Sequence, residues 1–239
     1  MKKTRREERR EETIQEIKNL AWQQLAEVGA DQLSLRKISR DMRMSSAALF
    51  RYFDCRQVLL TALIQDAFES MNQAIAMDVK NSAHLSVQEQ ILTACRAYRT
   101  WAKSHPAHYA MIYGSPLQDY SPDWISLALS AQGSLEIFIE LITNALQNGE
   151  ISIEVDHSPL DPNLLNQLQT VISSRKYETS PKILYTVIKG WTILHGIVSL
   201  EVFNHINPLL PDPSELFEQT INDLLQHIGF SYQVLPTNH

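Results

Sequence analysis

The sequence predicts an all-α protein, with a small three-helix unit at the N-terminus and a larger helical bundle after it. Apolar residues recur three and four positions apart along almost every segment, which is the period of an amphipathic helix. The one alternating segment, residues 151–155, is isolated, and a lone strand cannot close a sheet. Hydrophobic residues make up 44% of the 239 residues, which is enough for a genuine core.

The N-terminal unit is predicted from its helix start and stop signals. An apolar stripe from Ile14 to Val28 predicts the first helix, and Gly29 follows it as a C-terminal stop. Ser34 is placed to cap a second, short helix. A third short helix follows a break in register at residues 43–45, and a long helix then opens near Val58.

The rest of the chain predicts further helices separated by polar or proline-containing links. Pro106 closes one helix, and Pro122 stands at the first position of another, where its missing N–H is tolerated. Residues 151–155 are interpreted as an extended connector, and residues 173–180 as a polar, mobile link. The helices are expected at about residues 87–102, 109–113, 122–148, 162–172, 181–206 and 214–228.

Charge divides the chain into two parts, and we expect domains at residues 1–60 and 61–239. Residues 1–60 hold 13 lysines and arginines against 9 acidic residues, and the rest holds 8 against 18. The net charges are therefore +4 and −10, although the whole chain carries −6. This asymmetry favours a basic module that binds a polyanion, with an ordinary solvated basic face as the alternative.

Several classes of function lack their sequence signals. No signal peptide is evident, and the longest apolar region, Ile193–Phe203, is interrupted by polar residues, so we expect no membrane span. Two unpaired cysteines suit a reducing cytoplasm. A phosphate-binding loop, a nucleophile elbow and a cofactor motif are missing, so we expect neither catalysis nor a cofactor. His105 and His108 have a spacing that could hold a metal, but without further ligands we expect none.

The informative motif is the segment from Ser34 to Phe53. Two short helices joined by a three-residue turn have the size of a helix-turn-helix. Small residues, Ser45-Ser-Ala-Ala48, open the second helix, and bulky ones there would keep it out of a DNA major groove about 12 Å wide. Leu49 and Phe53, four residues apart, are expected in the core.

This motif and its flanks resemble the tetracycline-repressor (TetR) family of bacterial regulators. The resemblance covers residues 14–63, through the run Leu49-Phe-Arg-Tyr-Phe53, the preceding helix that ends at Gly29, and the segment Arg56–Leu60. A second element, Gly190-Trp-Thr-Ile-Leu-His-Gly196, resembles the Trp-x-x-x-His-Gly sequence in the C-terminal domain of one branch of the family.

The resemblance implies specific DNA contacts. Arg36 would contact a base or a nearby phosphate, and the small residues of the second helix would face base edges. Arg51 and Tyr52 would reach the backbone or the groove wall, and Arg56 would hold a phosphate. The basic N-terminus could trail along the backbone or into the minor groove, as arms of other folds do. The implied contact residues are Arg36, Ser45, Ser46, Ala47, Ala48, Phe50, Arg51, Tyr52 and Arg56, and the arm residues are Lys2, Lys3, Arg5, Arg6, Arg9 and Arg10.

Three positions depart from the family pattern. Arg43 stands where the turn usually has glycine, so a left-handed backbone there would cost about 1–2 kcal/mol, or the turn differs. Phe50 replaces a common tyrosine, and its ring could pack internally or contact a sugar. Cys55 stands where serine or asparagine usually caps the fourth helix.

For residues 61–239 the resemblance implies a ligand-binding and dimerisation domain. The last two helices, about 181–206 and 214–228, would pair with a second subunit, although two amphipathic helices could also bury each other. Aromatic residues would wall a pocket for a small-molecule effector, with ordinary core packing as the alternative at each position. The pocket residues would be Tyr98, Trp101, Tyr109, Tyr113, Phe138, Trp191 and His195.

Two hypotheses about function follow. In the first, the chain is a homodimeric, cytoplasmic transcriptional repressor that binds a palindromic operator and is released by a small-molecule effector. In the second, it is an all-helical ligand-binding protein or enzyme whose N-terminal unit packs without binding DNA. Salt-sensitive retention of specific duplexes distinguishes the two.

Overall fold

A computed structural model describes residues 4–114, 120, 124–151 and 159–230, with side chains described for all of these except 124–132. These residues contain no strand and confirm the all-α class. Their helices are α1 (Arg5–Val28), α2 (Leu35–Asp41), α3 (Ser46–Leu49), α4 (Arg56–Asn81), α5 (Val87–Ser104), α6 (Pro106–Tyr113), α7 (Trp124–Gln147), α8 (Pro162–Arg175), α9 (Pro181–Val202) and α10 (Ser214–His227).

The chain forms two compact units. The first comprises residues 1–70 and 105–131, and the second comprises residues 71–104 and 132–239. The expected boundary at residue 60 lies inside α4, which continues without a break to Asn81. The first unit is larger than the predicted N-terminal domain because it also contains α6.

The N-terminus is helical where a trailing arm was expected. Helix α1 begins at Arg5, nine residues before the predicted stripe, and Thr4 and Glu7 close it with a reciprocal capping box. Two of its orphan backbone donors are satisfied in this way. The predicted arm residues Arg5, Arg6, Arg9 and Arg10 therefore lie in α1, while Lys2 and Lys3 lie outside the described residues.

The core of the first unit is mainly aliphatic, with Phe53, Phe68 and Tyr109 also buried, and joins α1, α2, α3, α4 and α6. Ile17, Ile38 and Leu49 are almost completely buried, and Phe53 is 5% exposed, so the prediction that Leu49 and Phe53 are core residues is confirmed. An ion pair of 2.8 Å between Lys18 Nζ and Asp66 Oδ1 joins α1 to α4.

In the second unit, α5 is held to α9 and α10 by buried charge as well as by apolar packing. The Arg99 guanidinium donates to both oxygens of the buried Glu201 carboxylate, at 2.7 and 2.8 Å, and Lys103 Nζ lies 2.6 Å from the same carboxylate. The Arg99 guanidinium also lies 4.7 Å from the centre of the Phe217 ring. Because a buried carboxylate is costly without partners, these cations are what make Glu201 tolerable there.

Several predicted boundaries in the second unit shift. Helix α8 continues to Arg175, where residues from 173 were expected in a mobile link. Helix α9 ends at Val202 rather than near residue 206, and Asn204 then takes a positive φ of 60°. Of the predicted connector at 151–155, only Ile151 is described.

Helix α9 bears on the expectation of no membrane span without overturning it, because a core helix of a globular protein can be equally long and apolar. Its 22 residues are long and apolar enough to cross a bilayer by length and composition, with a mean hydropathy of 1.4 over 18 residues. The polar residues that appeared to interrupt this region are too few to lower the average. Only 28% of that window is buried within the chain.

Candidate nucleic-acid interface

The start of α2 is fixed by contacts from its own cap and from α1. The Ser34 hydroxyl accepts from the Lys37 backbone N–H at 3.3 Å, as the sequence predicts for a cap. The Ser34 N–H in turn donates at 3.1 Å to Oε1 of Gln24, a buried glutamine on α1. These bonds orient α2 and leave the Arg36 side chain exposed.

The turn between α2 and α3 keeps left-handed geometry without a glycine. Arg43 has a φ of 53°, and its N–H donates to the Arg40 carbonyl at 2.9 Å. The Met44 N–H donates to the Ser39 carbonyl, also at 2.9 Å. The backbone of the turn therefore overrides the steric preference of an arginine side chain.

Helix α3 is anchored by two serines that were expected to face bases. The Ser45 hydroxyl caps the helix by accepting from the Ala48 N–H at 3.1 Å. The Ser46 Oγ lies 3.3 Å from the Ser39 Oγ, and Ser39 donates its single proton to the Arg36 carbonyl. Ser46 is therefore the donor to Ser39, and its hydroxyl locks α3 against α2.

The predicted contact residues on and after α3 are largely accessible. Ala47, Phe50 and Arg51 are exposed, whereas Ala48 and Tyr52 are half-buried. The helix is only four residues long, shorter than the predicted eight, because the following N–H groups of Arg51 and Tyr52 bond three residues back. The exposed side of this segment is small at Ala47, aromatic at Phe50 and cationic at Arg51.

Arg56 and Tyr52 are engaged within the first unit. The Arg56 Nη2 donates to the Ala30 carbonyl at 2.7 Å, so its guanidinium ties the start of α4 to the turn after α1. This contact favours a structural role for Arg56 over the predicted phosphate contact. The Tyr52 ring lies beneath the Arg10 guanidinium, 5.1 Å from ring centre to the guanidinium carbon.

Sequence reasoning assigned no DNA contact to two arginines beside this surface, Arg40 and Arg43, and named Arg10 only as part of the N-terminal arm. Arg40 and Arg43 are exposed on the α2 end and the turn, and Arg10 approaches through the Tyr52 ring. The helical period could have flagged Arg40, since it follows Arg36 by four residues on α2. Nothing local in the sequence pairs Arg10 with Tyr52.

A cavity lies within the second unit, among α5, α7, α9 and α10. It encloses about 480 Å³, including its open side. None of its thirteen lining residues is charged, and Thr186 supplies the one hydroxyl. The lining residues are Ile91, Cys95, Phe138, Ile142, Thr186, Val187, Gly190, Trp191, Leu194, Ile221, Leu224, Leu225 and Ile228.

Two of the predicted pocket residues, Phe138 and Trp191, line this cavity. The other five lie elsewhere: Trp101 is buried in the second unit, and Tyr109 and Tyr113 pack against each other in the first, with ring centres 5.1 Å apart. Aliphatic residues make up most of the actual wall.

Tyr98, which is buried, and His195, which is half-buried, form a polar cluster instead. The Tyr98 hydroxyl lies 2.9 Å from His195 Nδ1, and the Ser199 hydroxyl lies 3.3 Å from Nε2. The Trp191 indole stacks on the imidazole with a centroid distance of 4.9 Å. Burial lowers the pKa of His195, so the imidazole is neutral at pH 7, and both of its nitrogens are used within the fold.

The Cys95 thiol and the histidine pair His105 and His108 do not form a reactive or metal-binding cluster among the described residues. Burial is the main cause that raises the pKa of the Cys95 thiol to about 12, so this cavity residue stays protonated. His108 stacks on Trp22 at 3.7 Å and contacts His105 at 5.4 Å between ring centres. Among the described residues, no three His, Cys, Asp or Glu side chains converge as a metal site would require.

Comparison with known proteins agrees with this architecture. Residues 91–224 match the family model of the tetracyclin repressor-like C-terminal domain. The HTH-type transcriptional regulator Rv1816 of Mycobacterium tuberculosis (strain H37Rv) is 28% identical over 215 residues, which cover 90% of this chain and 91% of that protein. A relative in Mycobacterium bovis, the HTH-type transcriptional regulator Mb1846, matches equally well.

Solved structures share the fold along most of the chain. The crystal structure of the protein SCO4313 superposes with a TM-score of 0.75 at 29% identity, covering 93% of this chain and all of that one. A bacterial regulatory protein of the tetR family from Rhodococcus RHA1 has a TM-score of 0.57 at 17% identity, over 91% of this chain and 97% of its own. At that identity the second likeness concerns the fold alone.

Proposed function

The chain belongs to the tetracycline-repressor family of transcriptional regulators, and from this premise we propose that it is a cytoplasmic, homodimeric repressor of a palindromic operator, released by a small-molecule effector. The family is one of non-enzymatic regulators, so the alternative of an enzyme is set aside. Members of the family bind DNA and typically form dimers.

The observation that carries the proposal is the exposed side of α2 and α3. Ala47 is small and exposed where a helix would enter the major groove, and Arg36 and Arg51 flank it as exposed cations. An arginine can pair in bidentate fashion with guanine, and an alanine methyl can contact the methyl group of thymine. We therefore assign base reading to Arg36, Ala47 and Ala48, with Phe50, Arg51 and Tyr52 toward the backbone.

Dimerisation through α9 and α10 is supported by an apolar stripe that the single chain leaves uncovered. On α9, Ile193 and Leu200 are 37% and 45% exposed. Between them a side chain at Gly196 would meet nothing within 4 Å, so a second helix could approach closely there. Because α9 is strongly apolar yet little buried, covering this stripe with a second copy would be favourable.

The effector site is the cavity of the second unit. Its walls are apolar and uncharged, which favours a neutral, largely apolar ligand over an anion or a cation. An effector there would release DNA only to the extent that it binds one conformation of the dimer more tightly than the other.

Selection of bound duplexes from a random library, followed by affinity measurements in rising salt, tests the proposal. We expect an enriched palindrome whose half-sites lie about one helical turn, 34–36 Å, apart. Leu200→Glu should yield monomers in sedimentation velocity and weaken operator binding, whereas Val171→Glu, a similarly exposed apolar position on α8, should do neither. Failure to retain any sequence at low salt would overturn DNA binding.

A further inference from the structure

The first two turns of α1 stand clear of the core. All side chains from Arg5 to Glu12 are exposed, and the first buried residue of the helix is Ile17. At 1.5 Å per residue, the segment before Ile17 extends about 18 Å. Residues 5–12 of this segment are exposed, and the contacts that stabilise them include the Thr4–Glu7 cap and the Arg10–Tyr52 contact.

These turns carry a charge pattern that the net charge conceals. Residues 5–12 read Arg-Arg-Glu-Glu twice, so they are neutral in sum. With about 100° between successive residues of a helix, the arginines occupy one face of about 140° and the glutamates the opposite face. The helix is therefore basic on one side and acidic on the other.

The same pattern is costly for an isolated helix. It places like charges four residues apart, as in Arg5 with Arg9 and Glu8 with Glu12. Each such pair opposes helix formation by roughly 0.2–0.5 kcal/mol. Opposite charges three residues apart, such as Arg5 with Glu8 and Arg9 with Glu12, partly offset this cost within the helix. A polyanion lying along the basic face would neutralise the remaining repulsion between the arginines.

One contact shows which way the basic face turns. Arg10, at the edge of that face, lies over the ring of Tyr52, which comes three residues after the end of α3. The arginine side of α1 thus borders the same surface that presents Ala47 and Arg51, within the first unit.

We propose that Arg5, Arg6 and Arg9 form a helical phosphate-binding ridge that contacts the DNA backbone outside the bases read by α3. The inference rests on the proposed function and extends it, because it assigns a second DNA contact to residues outside the helix-turn-helix. The glutamate face, turned away, keeps the segment from binding polyanions indiscriminately. Contacts of this kind add affinity and salt dependence but carry no sequence preference.

The test compares two charge-neutralising double variants of the full-length protein on a selected duplex. Arg6→Gln with Arg9→Gln removes the middle of the basic face, and Glu8→Gln with Glu11→Gln removes the middle of the acidic face. Each phosphate contact contributes about 0.9 to the slope of log affinity against log salt, so the arginine variant should lose roughly 2 to 4 from the slope of a dimer. Its base preferences should be unchanged, and the glutamate variant should keep the wild-type slope.

Three results would overturn the inference. An arginine variant with the wild-type slope and affinity would show that the ridge does not touch DNA. Equal weakening by both variants, with loss of cooperative binding, would indicate that the two faces pair between copies of the chain. A wild-type protein that retains no duplex would overturn the proposed function as well. This result is distinguishable from the other two, because in those the wild-type protein still binds DNA. Circular dichroism checks that α1 remains helical in both variants.

Discussion

The two units of this regulator use their side chains in opposite ways. In the first unit, the groups of the helix-turn-helix proposed to meet DNA lie close together in sequence, between Arg36 and Tyr52, and the key ones are exposed. In the second unit, the residues that line the cavity come from four helices between Ile91 and Ile228. The nearby polar groups of Tyr98 and His195 form a hydrogen bond with each other. The first unit can therefore lose function without losing its fold, whereas changes in the second should act mainly through stability.

The largest expected effect is at the buried carboxylate of the second unit. Glu201→Gln leaves Arg99 without its bidentate partner in a site where both side chains are largely buried. We expect a loss of about 3 kcal/mol in the free energy of unfolding, measured by urea denaturation. Glu218→Gln is the control: its pair with Arg96 is of similar length but more exposed, and should be worth at most about 1 kcal/mol.

The same pair predicts how stability depends on pH. Burial raises the pKa of Glu201, but the hydrogen bonds and charges of Arg99 and Lys103 outweigh it and hold the pKa below its ordinary 4.5. A carboxylate with a depressed pKa stabilises the fold above its ordinary pKa, and this stabilisation is lost as the pH falls through the folded-state value. The difference between wild type and Glu201→Gln should therefore be full at pH 7 and shrink below about pH 4.5. An equal difference at pH 7 and pH 3 would contradict this account.

A smaller effect of opposite sign is expected in the first unit. Arg43 holds a φ of 53°, so Arg43→Gly relieves the strain of a left-handed side chain. After the entropy that glycine adds to the unfolded chain, the net gain should be about 0.5–1 kcal/mol. Arg43→Ala removes the same charge but keeps the strain, and should not stabilise. Similar stability in the two variants would show that the charge, not the backbone, matters at this turn.

The smallest effect concerns the cavity. Benzene should raise the melting temperature of the protein by about 1–2 °C, while benzoate of the same shape should not, because its carboxylate would be buried among apolar walls. Gly190→Met fills part of the space and should abolish the benzene effect. Equal stabilisation by benzoate would exclude the proposed preference for neutral ligands.

Local signals explain what the sequence could predict. The Ser34 cap, the Gly29 stop and the burial of Leu49 each follow from a few neighbouring residues, and all are found in the structure. The sequence allowed either a left-handed backbone at Arg43 or a different turn, and the structure has the first. The turn is held by backbone hydrogen bonds to residues just before it, which is why a local prediction could include this outcome.

Long-range arrangement explains most of what the sequence could not predict. The cavity wall depends on which faces of four distant helices meet, so an aromatic count identified only Phe138 and Trp191. The contact of Arg56 could not be predicted because its partner, the Ala30 carbonyl, lies in a turn twenty-six residues earlier. The arginines at the start of α1 were interpreted as part of an arm because residues 5–12 have a periodic pattern of charge but no apolar residues, and the first helix was predicted from its apolar stripe.

The central claim is that the exposed side of α3 reads DNA, and one pair of variants tests it directly. Ala47 and Ala76 are both exposed alanines within helices, on α3 and α4. Ala47→Trp should block entry into the major groove and lower affinity for a selected operator by about 100-fold or more, an effect of roughly 2.7 kcal/mol, with the melting temperature unchanged. Ala76→Trp should bind as wild type does. Wild-type affinity in the Ala47→Trp protein would contradict the account.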